Sequence, residues 1–197
     1  KVASQTVECL KTVPGFYNIQ ITDKINFESL YSPYTKSFAA ENVKKSEKSL
    51  ENFEEFSKLI SKIADFSQNA VVNLSCWGEA LLNQNLLKMI ECILSYSGLS
   101  VFLETDGTLV TDDFCNELSK IVNNASKRTN GFEKLMIAVF VDAFSVQTYQ
   151  KIHPDCSDDA FEKSVEAVKK LCAVLPNSVY PQFVRMNQNE EELEPFF

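Results

Sequence analysis

Apolar positions along the chain fall into two patterns in turn, short continuous runs and runs that recur every three or four residues, the mark of strands alternating with helices. Residues 16–21 read as a strand, punctuated at their start by Pro14-Gly15. A polar stretch over residues 22–48 follows. From Leu50, the set Leu50, Phe53, Phe56, Leu59, Ile60 and Ile63 marks one helix face, with Ser49 as the expected N-cap. Residues 70–74 predict a second strand. Asn83 is then the expected cap of a helix that runs to about Tyr96 and stops at Gly98. Residues 99–104 form the third predicted strand, and Thr111 opens a helix to about Asn123. Residues 134–141 make a continuous apolar strand. Residues 160–175 form a helix carrying Phe161, Val165, Val168, Leu171 and Cys172, and residues 179–186 a fifth strand.

Strands separated by helices call for parallel pairing through right-handed crossovers, hence an α/β sheet or barrel. In such folds the loops at the carboxyl ends of the strands build the site. Here those loops hold the polar and glycine-bearing segments. We expect residues 1–13 to be a lead-in and residues 14–197 one domain.

Composition narrows the class. The 197 residues are 45% hydrophobic and 23% charged, enough for one substantial core. No apolar run approaches the roughly 20 residues that cross a bilayer, so no membrane partner is expected. The chain opens at Lys1 and not at Met, which reads as a piece of a longer protein. A formal net charge of −8 argues against a nucleic-acid surface, which needs clustered cations. Lys44, Lys45 and Lys48 form the one basic cluster, but Glu41 and Glu47 interleave it, as on a solvated face. The six cysteines, Cys9, Cys76, Cys92, Cys115, Cys156 and Cys172, lack any C-x2-C spacing, and a reducing, cytoplasmic compartment is expected.

Five segments follow the five strands: residues 22–34, Ser75-Cys76-Trp77-Gly78-Glu79-Ala80, Glu104-Thr105-Asp106-Gly107-Thr108, Asp142-Ala143-Phe144, and Arg185-Met186-Asn187. In the first, Ile25, Ser29 and Ser32 stand at the spacing of a C-x3-C-x2-C motif, with Asn26 after the first position and Pro33 after the last. Gly78-Glu79 matches the middle of a Gly-Gly-Glu-Pro motif, and Thr105-Asp106-Gly107 nearly matches Thr-Asn-Gly. Val141-Asp142-Ala143 with Tyr149 and Ile152 follows a Ser-x-Asp-Gly strand end and its Tyr-x-x-Ile helix.

In this order the series resembles the radical S-adenosylmethionine (SAM) superfamily core over roughly residues 14–197. It is most similar to the SPASM-containing branch of peptide and protein modifiers, and within it to degenerate spirochaete spiro-SPASM proteins. The resemblance implies a partial (βα) barrel of parallel strands with outer helices, five βα units being present and the sixth strand absent from this fragment. It places Gly78, Glu79, Thr105, Asp106, Gly107 and Asp142 on the SAM side, as vestigial positions, and Ile25, Ser29 and Ser32 where the cluster ligands would be.

That departure decides the expected chemistry. A 4Fe–4S cluster is held by thiolates; isoleucine has no donor atom, and a serine hydroxyl is a poor, hard ligand for such iron. Neither a 4Fe–4S cluster nor a catalytic residue is expected, while SAM remains a candidate ligand. The implied role is a non-catalytic scaffold or binding domain. Its expected partners are other domains of the parent protein, including a C-terminal SPASM region, and a peptide or protein. The alternative is an enzyme domain that binds SAM or another small ligand and uses Glu79, Asp106 and Asp142 as carboxylates.

Other chemistry at the same loops finds less support. Among the candidates Cys76, Glu79, Asp142, His153 and Cys156, the last two have a compact H-x2-C spacing, but zinc normally wants four ligands of known spacing. Cys76 is expected to line the barrel interior, and His153, the only histidine, to follow a helix end before Pro154. From the sequence, no second element of a Ser-His-Asp or Cys-His system is identifiable. Trp77 stands where the resemblance has a glycine, so its indole could fill part of a SAM site, or simply pack on a helix.

Overall fold

In the computed structural model, which describes residues 13–32 and 50–197, five parallel strands form one sheet in the order β1-β2-β3-β4-β5. The expected lead-in, Pro33, the lysine cluster and Ser49 lie outside the described residues. The strands are β1 (Phe16–Asn18), β2 (Ala70–Asn73), β3 (Leu99–Thr105), β4 (Leu135–Phe140) and β5 (Val179–Gln182). Helices α1 (Phe53–Ser67), α2 (Leu86–Leu94), α3 (Asp112–Asn124), α4 (Val146–Ile152) and α5 (Ala160–Val174) connect them, and a short α6 (Leu193–Phe196) follows β5. This is a radical SAM-like partial (βα) barrel with outer helices. Neighbouring strands pair in parallel, from Phe16 opposite Val71 to Phe140 opposite Gln182.

Burial explains the strand sequences. All four residues of β2 are buried, as a central parallel strand covered on both faces requires. The edges are more open: Phe16 is 50% exposed, and Pro181, which has no N–H to give to a ladder, sits on edge strand β5. One face of α1 buries Phe56, Ile60 and Ile63, and α2 buries Leu86, Met89, Ile90, Ile93 and Leu94 in the same core. Gly98 lets the α2–β3 turn reach the end of α1, since a Cβ there would lie 1.6 Å from the Gln68 carbonyl oxygen.

Several boundaries differ from the sequence expectation for local reasons. Asn52 caps α1, accepting the Glu54 and Glu55 N–H groups at 2.9 and 3.1 Å. Asn83 lies two residues ahead of the N-cap position of α2 and its Oδ1 accepts the Asn85 N–H at 2.7 Å. Its own N–H closes a 3-10 turn (Ala80–Leu82) on the Ala80 carbonyl, its amide donates to the Ile21 carbonyl at 2.6 Å, and α2 begins three residues later. Pairing of β1 ends early, with the Ile19 N–H still bonded to the Asn73 carbonyl. Strand β5 stops at Gln182 because the Val184 N–H turns to Asp142 Oδ1, at 2.8 Å. Thr111 opens α3 as expected, accepting the Phe114 N–H at 3.1 Å.

Candidate functional site

The segments after β1, β2 and β3 meet at one cleft, and Asp142 lies behind its wall, bonded to Tyr31. Its wall includes Ile25, Asn26, Ser29 and Ser32 from the first segment, Trp77, Gly78 and Glu79 from the second, and Thr105 and Asp106 from the third. Phe140 and His153 complete it from the β4 side. The cleft is small, about 120 Å³.

One half is organised around Glu79. A Cβ on Gly78 would stand 2.2 Å from the Thr22 carbonyl oxygen, so only glycine lets the second segment press onto the first. The Glu79 N–H then bonds to the Lys24 carbonyl at 2.8 Å. The Glu79 carboxyl is buried. Oε1 accepts the Leu81 N–H at 3.0 Å and the Thr105 hydroxyl at 2.9 Å, and Oε2 accepts the Asp106 N–H at 3.0 Å. Burial, and after it the neighbouring Asp106 charge, pushes the Glu79 carboxyl well above the usual carboxylate range.

Asp106 is equally engaged. Oδ1 accepts from the Thr108 N–H and hydroxyl at 2.8 and 2.6 Å, and Oδ2 from the Asn26 amide at 2.8 Å. Gly107 supports this turn with φ +81°, packed so that a Cβ would touch Val139 and Ala167 at 3.0 Å. Glu79, Thr105, Asp106 and Gly107 therefore form one hydrogen-bonded unit, with Gly78 as the contact point to the first segment.

The other half is organised around Asp142, which is fully buried at φ +57°. Its Oδ2 accepts the Tyr31 hydroxyl at 2.7 Å, and its carbonyl accepts the buried Asn189 amide at 2.8 Å. Burial first, and then the Asp142 charge, raises the Tyr31 phenol far above its ordinary value. His153 packs against Tyr149 and Phe27 at ring distances of 4.4 and 5.1 Å, tilted to the first and edge-on to the second. Its Nδ1 lies 2.9 Å from Ser29 Oγ and its Nε2 3.5 Å from Asp142 Oδ2. The Leu30 N–H, bonded to the Ile152 carbonyl at 3.0 Å, docks the first segment on the end of α4.

The C-terminal residues brace this half. Glu192 accepts the Phe144 N–H at 2.7 Å, the Ser145 N–H and hydroxyl, and the Thr148 hydroxyl at 2.7 Å, so it covers the amino end of α4. Tyr31, Asn189 and Glu192 carry no periodic or motif signal, and sequence reasoning missed them. The pairing of Ser29 with His153 was also missed, since 124 positions separate them. Arg185-Met186-Asn187 stays outside the cleft wall. Cys76, expected inside, is exposed instead, at a backbone φ of +151°.

At the positions that the sequence resemblance assigns to cluster ligands stand a hydrocarbon and two hydroxyls, which do not fit a 4Fe–4S cluster, since that binds through thiolates. Among the described residues no group of three His, Cys, Asp or Glu side chains could hold a metal ion. The cleft is smaller than the roughly 300–1,000 Å³ of sites that bury small molecules. Both oxygens of Glu79 and of Asp106 already accept protein hydrogen bonds. Among the described residues no helix is long and apolar enough to cross a membrane.

No protein-family model matches the sequence. An uncharacterized protein of Treponema pallidum (strain Nichols) is 33% identical over 200 residues, which cover 100% of this chain and 54% of that protein. The chain thus spans about half the length of the curated relative it matches. Among solved structures, Streptococcus suis SuiB bound to S-adenosylmethionine is similar over 99% of this chain and 39% of its own, with TM-score 0.62 and 8% identity. The structure of anSMEcpe with bound AdoMet is similar over 86% of this chain and 42% of its own, with TM-score 0.60 and 16% identity. The FeFe-hydrogenase maturase HydG from Carboxydothermus hydrogenoformans gives TM-score 0.57 and 14% identity over 84% of this chain and 35% of its own. At these identities the likeness speaks for the fold, and the fold is that of the radical SAM enzymes.

Proposed function

We propose that this domain serves a longer parent protein as a radical SAM-like scaffold or binding module that has given up cluster chemistry. The observation that carries this reading is the set Ile25, Ser29 and Ser32, which lines the cleft without a thiol. Without thiolate ligands there is no cluster to pass an electron to SAM and no open iron to chelate it. The protein's own groups take up the polar capacity of the place: Ser29 bonds to His153, Glu79 accepts from Thr105 and Asp106, and Asp106 accepts from Thr108 and Asn26. On this reading Gly78, Glu79, Thr105, Asp106, Gly107 and Asp142 are vestigial SAM-side positions that now hold the strand-end loops together. The partners are the remaining domains, among them a C-terminal SPASM region, and a peptide or protein in the cytoplasm.

A second reading keeps a small ligand at the cleft, with polar chemistry by its carboxylates; the buried, proton-retaining Glu79 favours it. Two of the similar structures contain SAM, which makes it the ligand to try. Calorimetric titration of the chain with SAM and with S-adenosylhomocysteine, without iron, separates the readings. The scaffold reading expects no heat and no thermal shift. Micromolar binding would contradict it and favour the second.

A further inference from the structure

The Asp142 half of the cleft contains three side chains in the connectivity of a nucleophile, a base and an orienting carboxylate. Ser29 Oγ lines the cleft and lies 2.9 Å from His153 Nδ1. The opposite ring nitrogen, Nε2, is buried with no hydrogen bond to a described residue, and faces Asp142 Oδ2 at 3.5 Å. His153 is 2% exposed and clamped between Tyr149 and Phe27, so its ring has little freedom to turn away. Asp142 is held in turn by Tyr31, Val184 and Asn189.

We propose that Ser29 is a nucleophile activated by His153, able to take a short acyl group from an ester. This goes beyond the scaffold reading and needs none of the lost cluster chemistry. The Asp142 carboxylate favours a proton on Nε2, which leaves the Nδ1 lone pair to accept the Ser29 proton. Ser29 Oγ forms a bond to the ester carbonyl carbon as its proton passes to His153 Nδ1. The bond to the leaving alkoxide then breaks, and His153 returns the proton to that oxygen, so an alcohol departs. Water repeats the sequence on the acyl-serine and releases a carboxylic acid, so no oxidant or second substrate is required. The cleft of about 120 Å³ restricts the acyl group to a few heavy atoms. Ser29 and His153 touch the reacting atoms. Asp142 is a positioning residue.

The test is reaction of the folded chain with a small-alkyl fluorophosphonate, followed by intact mass and peptide mapping. One equivalent on Ser29 is expected, formed in native protein and not in urea-denatured protein. Ser29→Ala should abolish the adduct, and His153→Gln should slow it by roughly 100-fold. Asp142→Asn should slow it and shift the pH profile of labelling, which a merely structural carboxylate would not do. The proposal is overturned by an absent adduct, by an adduct mapped to another residue, or by equal labelling of native and denatured wild type. The last comparison uses no variant and so stands even where a substitution unfolds the chain. A His153→Gln protein that folds and labels at the wild-type rate also overturns the base role.

Discussion

Three residues set the character of the cleft by what they cannot do. Gly78 cannot carry a side chain: the Cβ of Gly78→Ala would meet a backbone oxygen at 2.2 Å, and backbone yields less readily than a flexible side chain. We expect Gly78→Ala to lose about 1–3 kcal/mol in denaturant unfolding; wild-type stability would show that the two loops are not pressed together as described. Ile25 has no donor atom for iron, and among the described residues no group of three His, Cys, Asp or Glu side chains could hold a metal ion. Glu79 cannot shed its proton at the usual pH, because burial and Asp106 oppose its charge. A carboxyl raised in the folded state binds its proton more tightly there than in the unfolded chain, where it titrates near 4.3. Its contribution to stability is therefore complete below that pH and is lost as pH rises through the folded-state value. The stability of wild type minus that of Glu79→Gln should fall with rising pH above 4.3, by at most about 1.4 kcal/mol per pH unit. A flat or rising difference would contradict this environment for Glu79.

At the scale of elements, the strand and helix order was legible because buried parallel strands read as continuous apolar runs and amphipathic helices as a repeat of three and four. The Leu50 to Ile63 set predicts α1, and its Phe56, Ile60 and Ile63 are buried. Ends were less legible, since they depend on partners distant in sequence. Asn83 accepts the Asn85 N–H just ahead of α2 while its amide N–H is tied to Ile21, 62 positions away, and β5 ends where a buried carboxylate captures the Val184 N–H. The Ser29, His153 and Asp142 cluster stayed hidden for the same reason, as only the fold joins the first segment to the end of α4. Arg128 is a further case. Nothing in the sequence marks it as structural, yet it is buried and donates to the carbonyls of Leu94, Tyr96 and Leu99 at 3.1, 2.9 and 2.7 Å, closing the end of α2. Arg128→Met would leave those carbonyls without their charged donor. We expect a loss of at least about 2–3 kcal/mol, read as a lower denaturant midpoint, and an unchanged midpoint would show that the α2 end is closed by other means.

The molecule as a whole has the parallel sheet and the converging strand-end loops of a radical SAM-like fold. Fold and cluster chemistry rest on different residues. The sheet is held by Val72, Val101, Leu103 and Ile137 in the core, whereas a cluster depends on three side chains that the core does not need. On our account Ile25, Ser29 and Ser32 stand in place of three thiolate ligands, which leaves the architecture intact and removes radical chemistry. The most direct measurement is anaerobic reconstitution of the chain with iron and sulfide, followed by iron and sulfide analysis and the visible absorption spectrum. The account predicts no bound iron after desalting and no thiolate-to-iron charge-transfer band. Four irons per chain with that band would contradict it.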